Sequence, residues 1–485
     1  MTSHRITMLG SHDAHLRAWL TGDPNGHERG ALVLFRKFDR PVANQPASTR
    51  FAAVDFIPLG GDWILKSTRT SLRINMRLLP EVYLRCEKEG LELGFVHSHP
   101  AGHPHFSDKD EQNEHNILRG YAGSNGPQSM LVAMVFCDGT WKARARRGGS
   151  PEQVEPVRHV LCVGDHLDLH GFDESLATSD VLKRQEAAFG KPFNAKLQSL
   201  RAVVVGAGAT GSASATLLAR AGVGELIIVD GDELEETNLN RVRGYRRDDL
   251  GKNKAKTLAA FIKSLGLKVS VSSVDAYLDK SPQAIDALSS ADVVFGCTDD
   301  VAGRDILNQA LYYYGLAYID MGLTGKIDKA PNGEPYLRDH RGRVSCILPE
   351  SGACLRCQRV VTDMKLKYEQ AIEERPELAE LDAETLEREY YLVGGGEQAP
   401  GVGPFTSATA DAAVATLMDL VKPYRSLPSD LRRDNIWQDF VHLTIHSNEP
   451  INDADCIYCR QRVLLFKNEG RFRLEMPSLG SWRKI

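Results

Sequence analysis

The sequence predicts an α/β chain of two domains, a mixed α/β unit followed by a doubly wound, mostly parallel sheet. Three observations predict it. The chain has 485 residues, against roughly 150 for a common domain, so a single module is excluded. The first third interleaves short β-rich runs, ALVLF at 31–35, FAAVDFIPL at 51–59, LELGFVH at 91–97 and MLVAMVF at 130–136, with a helical LPEVYLRCEKEG at 79–90. From residue 201 the strands RAVVV, ELIIVD, KVSVSS, DVVFG and LAYIDMG alternate with the helical SASATLLARAG and KNKAKTLAAFIKSLG, the βαβ pattern of a Rossmann-like sheet.

Between these regions a polar stretch suits a connector with a short helix. The expected organisation is therefore a first domain over 1–160, a linker over 161–198 and a second domain over 199–485. Within the latter, the charged run 366–391 reads as a solvated helical hairpin. The glycine-rich VGGGEQAPGVG follows it, and then a helix from about residue 406.

Composition narrows the function. With 59 basic and 64 acidic residues the formal charge is −5, and 42% of residues are hydrophobic; neither a nucleic-acid binder nor a disordered chain is expected. The N-terminus lacks an apolar signal region, and no stretch approaches the roughly 18 apolar residues of a membrane span. Nine cysteines, an odd count, argue against a disulfide framework and for a reducing cytoplasm.

The run HSHPAGHPHFSDKD places His97 and His99 two apart at a strand end, with Asp110 eleven residues beyond His99. In a strand, i and i+2 share a face, so both imidazoles reach one metal while the loop returns the carboxylate. Two His and one carboxylate leave a coordination position open, as catalytic zinc requires. On its own, a loop that also holds His103, His105 and His115 reads as adventitious metal binding. This stretch resembles the motif of JAMM (JAB/MPN) metallo-isopeptidases, over about residues 20–150. The resemblance implies that His97, His99 and Asp110 bind zinc, that Ser107 helps bind the water and the tetrahedral intermediate, and that Glu28 is the general base.

The turn Gly206-Ala207-Gly208-Ala209-Thr210-Gly211 follows a strand and opens a helix, a geometry suited to phosphate. Asp230 ends the next strand, where a carboxylate takes a ribose hydroxyl. These features alone leave a dehydrogenase open. Downstream stand Asp230-Gly231-Asp232, Asn238-Leu239-Asn240-Arg241, Gly251-Lys252-Asn253-Lys254 and Cys297-Thr298-Asp299-Asp300 with Arg304. In order and spacing these resemble the ThiF/MoeB and ubiquitin-activating adenylyltransferases. The resemblance implies that Gly206, Gly208 and Gly211 approach the nucleotide and that Asp230 holds the ribose. Asn238, Arg241 and Lys254 would surround the triphosphate of ATP, and Asp299 would coordinate Mg²⁺. It also implies an arginine, Arg184, reaching across a homodimer. The chain departs from that pattern at Ala209-Thr210, where glycines are common, and at Asp300, where Asn is common.

Two Cys-x-x-Cys pairs, Cys354/Cys357 and Cys456/Cys459, supply four thiolates with the spacing of a closed structural Zn²⁺ site. Relatives in the resembled family carry such pairs and then often use a crossover cysteine for a thioester. No cysteine lies between Cys357 and Cys456, and Cys297 and Cys346 read as core. The thioester step is then absent, delegated to another protein, or moved to a hydroxyl such as Thr406 or Ser407.

Together these readings describe a bifunctional enzyme. A zinc peptidase would trim or deconjugate a ubiquitin-like or sulfur-carrier protein, and an adenylyltransferase would activate its C-terminal glycine. One catalytic and one structural Zn²⁺, ATP and Mg²⁺ would serve it, with a conjugating enzyme or sulfur donor as a further partner and neither nucleic acid nor membrane. Two rivals are a nucleotide-dependent oxidoreductase, which leaves Asp299, Arg241 and Lys254 unexplained, and a non-catalytic scaffold for modified proteins, which needs none of the site residues.

Overall fold

The computed structural model describes residues 4–466 apart from 40–41, 43–44, 46–47, 101, 178, 382–384, 387–400, 452–453 and 464. The chain divides into two compact units, with the boundary between Ser199 and Leu200.

In the first unit the elements run β1 (His4–Leu9), α1 (Gly10–Thr21), β2 (Gly30–Phe38), β3 (Arg50–Leu59), β4 (Ile64–Thr68), β5 (Ser71–Ile74), α2 (Leu79–Glu89) and β6 (Glu92–Ser98). There follow α3 (Asp108–Asn125), β7 (Met130–Cys137), β8 (Thr140–Arg147), β9 (Ser150–Val163), β10 (Leu167–His170), α4 (Lys183–Phe189) and α5 (Lys191–Ser199). The main sheet has the order β1-β3-β2-β6-β7-β8-β9-β10, and β1 also pairs with β9 in parallel, so the sheet curls shut on itself. Two apolar layers result from strand alternation. Along β2, Ala31, Val33 and Phe35 join Ile6, Phe51, Met134 and Trp141 in one core, while Leu32 and Leu34 join Tyr83, Ile117 and Tyr121 of α2 and α3 in the other.

The stretch expected as a linker over 161–198 holds the end of β9, all of β10, and α4 and α5. Its polar composition misleads because β10 is short and pairs along one side only, with β9.

The second unit runs β11 (Arg201–Val205), α6 (Ala209–Ala221), β12 (Glu225–Val229), α7 (Lys254–Ser264), β13 (Ser270–Val274), α8 (Pro282–Ser289), β14 (Val293–Gly296) and α9 (Val301–Tyr314). It continues with β15 (Ala317–Lys329), β16 (Pro335–Ile347), α10 (Asp363–Glu374), α11 (Gly403–Val421), β17 (Ile436–Asp439) and β18 (Thr444–His446). The sheet order is β13-β12-β11-β14-β15-β16-β17-β18. Strands β11 to β15 are parallel, and β15 to β18 add antiparallel neighbours. β11, β12 and β14 are buried throughout, which explains their unbroken apolar runs. The chain reverses its direction of winding between β12 and β14 on either side of β11, the place where such sheets bind ligands beyond the strand carboxyl ends.

Among its described residues, the run read as a helical hairpin holds the helix α10, a 3₁₀ turn over Pro376–Glu380 and helical residues at Thr385 and Leu386. Arg375, held extended before Pro376 at φ −140° and ψ 81°, ends the helix. Most of the rest of that run, and the glycine-rich loop up to residue 400, lie outside the described residues. Among the described residues no helix is long and apolar enough to cross a membrane.

Trp141 is fully buried, and its indole Nε1 donates to Asp13 Oδ1 at 2.6 Å. Trp141→Phe keeps most of the volume and removes this bond to a charged acceptor, leaving Asp13 Oδ1 only the Arg17 Nε donor at 2.8 Å. Equilibrium denaturant unfolding of the full chain should show the first unit destabilised by about 1–3 kcal/mol; unchanged stability would mean that the bond is dispensable.

Candidate active sites

In the first unit, the start of β2 lies opposite the end of β6, with Gly30 paired to His97. That register brings Glu28, two residues upstream, beside the histidines. Its backbone is held on both sides: its N–H donates to Thr68 O at 2.8 Å and its carbonyl accepts from Ser67 Oγ at 2.6 Å. Burial pushes the Glu28 carboxyl above its ordinary range, partly opposed by the nearby His97 and His99.

His97, His99 and Asp110 offer three ligand atoms within 4.8 Å of one another, all from buried residues. His97 Nε2 lies 2.9 Å from Asp110 Oδ1 and 2.9 Å from His99 Nε2. His99 Nδ1 sits 2.6 Å from the carbonyl of His103; a carbonyl only accepts, so Nδ1 carries the proton and Nε2 keeps its lone pair for the cluster. This donor set fits a zinc ion with an open position. Burial disfavours the charged form of Asp110, but the hydrogen bond from His97 and that from the Ser107 N–H outweigh it and hold the carboxyl well below the usual range.

Ser107 is the N-cap of α3. Its N–H and its hydroxyl both donate to Asp110 Oδ2, at 2.7 and 2.8 Å, while its Oγ accepts from Asp110 N. This capping box orients the carboxylate. The supporting residues were not legible as a motif. Arg144 stacks its guanidinium 4.1 Å from the centre of the Phe106 ring and donates to Glu114, which also binds Arg146.

In the second unit, Gly206 adopts φ +93°, and a Cβ there would meet Cys297 O at 2.6 Å. A Cβ on Gly211 would run into the carbonyl of Gly206. Glycine is therefore required at both positions. Asp230 Oδ2 accepts from Ala207 N at 2.5 Å, and its Oδ1 accepts from Asp232 N at 2.7 Å. Lys254 Nζ lies 2.9 Å from Asp232 Oδ2, and Tyr277 OH donates to Asp232 Oδ1 at 2.7 Å. Tyr245, which no motif had marked, donates from its OH to Ala207 O at 2.7 Å.

Asn238 and Arg241 belong to a neighbouring turn and bond within it. Asn238 Oδ1 accepts from Glu235 N at 3.1 Å, and Arg241 Nη1 donates to Thr237 O at 2.5 Å. Asp299 is exposed on the loop after β14, a strand paired directly with β11, and its side chain makes no hydrogen bond or ion pair among the described residues. Its neighbour Asp300 caps α9 by accepting from Gly303 N, a job Asp and Asn do equally well, which accounts for the departure at that position. Arg184 lies exposed on α4, in the first unit.

The four cysteines converge. Cys354 Sγ and Cys456 Sγ are 3.7 Å apart, Cys357 Sγ and Cys459 Sγ 3.6 Å. A tetrahedral Zn²⁺ with Zn–S bonds of about 2.3 Å puts sulfurs about 3.8 Å apart, so the set fits. Cys346 is buried, and burial pushes its thiol up to about 12; burial likewise raises Cys297. Thr406 is buried in α11, its hydroxyl donating to Gly403 O at 2.9 Å.

The ThiF family matches residues 182–449, more than half of the chain. The chain belongs to the ThiF family. Among curated relatives it is 35% identical over 168 residues to the SAMP-activating enzyme E1 of Haloferax volcanii, covering 35% of this chain and 56% of that one. It is 31% identical over 177 residues to the sulfur carrier protein ThiS adenylyltransferase of Bacillus subtilis, covering 36% and 48%. It is also 30% identical over 170 residues to protein HesA of Leptolyngbya boryana, covering 35% and 56%. This ThiF-family chain thus spans about half the length of these relatives.

Proposed function

We propose that the second unit adenylates the C-terminal glycine carboxylate of a small ubiquitin-like or sulfur-carrier protein with ATP. One observation carries the reading. An exposed carboxylate, that of Asp299, belongs to the loop after β14, and the adjacent strand β11 ends in a glycine turn that opens α6. Relatives named for activating carrier proteins support it. The Gly206–Gly211 turn and the N-terminus of α6 take the phosphates, and Asp230 takes the ribose hydroxyls. Lys254, Asn238 and Arg241, with Arg184 of a second subunit, offset the triphosphate charge. Asp299 would hold Mg²⁺, which supplies positive charge beside the phosphates.

In the reaction, a carboxylate oxygen of the carrier bonds to the α-phosphorus while the bond to the bridging oxygen of the β-phosphate breaks. The products are an acyl-adenylate and pyrophosphate. Two anions must meet, so fixed cations around them lower the barrier. With Cys346 buried, Cys297 half-buried with its thiol raised by burial, and no cysteine between Cys357 and Cys456, the acyl group passes to a thiol or amine on another protein.

The first unit we read as a JAMM-type zinc peptidase or isopeptidase that trims the same carrier or releases it from conjugates. His97, His99 and Asp110 would hold the zinc, which when bound supplies Lewis acidity and acidifies a water. Glu28 takes the proton of the attacking water and returns it to the leaving amine. Ser107 keeps Asp110 oriented, and its hydroxyl is near enough to the ligand set to bond the tetrahedral intermediate. The Cys354/Cys357/Cys456/Cys459 site would hold a second, structural zinc, and a reducing compartment such as the cytoplasm would keep its thiols available.

The two chemistries should separate by mutation. Asp299→Ala should abolish carrier-dependent ATP–pyrophosphate exchange and spare peptide cleavage, and Glu28→Gln should do the reverse. Near wild-type exchange by Asp299→Ala would remove the assigned Mg²⁺ role.

Metal analysis should find two zinc ions per chain of unequal lability, because four thiolates close one site and the other stays open. Mild chelation should strip the open site first, and Cys354→Ser should leave one zinc. A single zinc unaffected by that substitution would contradict the structural site.

A further inference from the structure

Within the charged run after the first cysteine pair, one carboxylate is engaged with the candidate nucleotide site. Glu369 of α10 accepts from the backbone N–H of Val301 at 2.6 Å and of Ala302 at 2.8 Å. These residues open α9. Asp300 takes the N–H of Gly303, so two carboxylates satisfy three of the four N–H groups that begin this helix.

That end of α9 is thereby filled. A helix N-terminus attracts phosphate through its free N–H groups and its dipole, and α9 begins two residues after Asp299. The N-terminus of α6 differs: its N-cap is Gly208, with no side-chain cap. Of two neighbouring helix ends that could draw the triphosphate, one is closed by Asp300 and Glu369 and the other is open.

The same contacts fix the loop that carries Asp299. Arg304 donates from Nη2 to Thr298 O at 2.7 Å and from Nη1 to Asp299 O at 3.2 Å. Lys365, one turn before Glu369, donates to the carbonyls of Arg359 and Val360 at 3.0 and 3.2 Å and seats the start of α10. Arg304 grips the loop at its carbonyls and Glu369 grips the first amides of the helix that the loop runs into, while the Asp299 side chain makes no hydrogen bond or ion pair among the described residues.

We propose that Glu369 is a positioning residue for adenylation: through it, the helix that begins the crossover segment sets the Asp299 carboxylate for Mg²⁺ and leaves α6 as the single open phosphate-binding end. This rests on the adenylation reading above. It gives the crossover segment a part in the reaction without a cysteine of its own.

The test is calorimetric binding of ATP to the full-length protein, with Mg²⁺ present and in Mg²⁺-free buffer, which needs no carrier. Glu369→Ala should weaken MgATP about tenfold, as loss of a group that orients a metal ligand does, while Mg²⁺-free ATP binding and zinc content stay unchanged. Glu369→Gln, which keeps one acceptor oxygen, should fall between, and exposed Lys367→Ala should match wild type. An equal loss with and without Mg²⁺, or no loss, would overturn the positioning role. A wild-type protein that binds no MgATP would overturn the adenylation reading and this inference with it.

Discussion

A single carboxylate ties the second unit's site together. Asp230 directly follows β12, and its two oxygens accept from Ala207 N, in the turn after β11, and from Asp232 N, in the turn after β12. Burial pushes its carboxyl up, so the charge persists there because backbone amides replace water around it. From this junction the rest follows. Asp232 is aimed to meet Lys254 and Tyr277, and Asn253 donates to the carbonyls of Asp230 and Asp232 while capping α7. The glycine turn keeps the shape that Gly206 and Gly211 alone permit.

The first unit meets a different constraint. Three ligand groups, two imidazoles and a carboxylate, converge in a buried place, and two of them are held from behind: His99 by the carbonyl of His103, Asp110 by the capping box with Ser107. Such back-bonding is what a metal site needs before the ion arrives. Glu28 reaches the same place through strand register. Both units therefore place their chemistry on strand ends and loops braced by side-chain-to-backbone bonds.

How far the sequence revealed this depends on the kind of signal. The apolar runs of β2, β3, β6, β7 and the parallel strands read directly, because burial on one or both faces leaves a period. The His97/His99/Asp110 and four-cysteine sets also read directly, since chemistry fixes their spacing. β1 did not: HRITML is half polar, yet all six residues are buried, because β1 lies between β3 and β9 and His4 pairs with Glu155. β9 hid for the same reason, its first half being polar and partly exposed. Glu369 sat in a run that reads as solvated charge. Only the three-dimensional meeting of α10 and α9 separates it from its exposed neighbours, and no periodicity encodes that meeting.

In the function proposed above, one polypeptide exposes a carboxylate and then activates it. The direct measurement gives the full-length protein a carrier precursor extended beyond its glycine, with MgATP, and follows pyrophosphate release and carrier mass together. Release should require Glu28 with the precursor but not with the mature carrier, and it should follow loss of the extension. Equal release from the precursor by wild type and Glu28→Gln would show that the two sites do not act in sequence on one substrate.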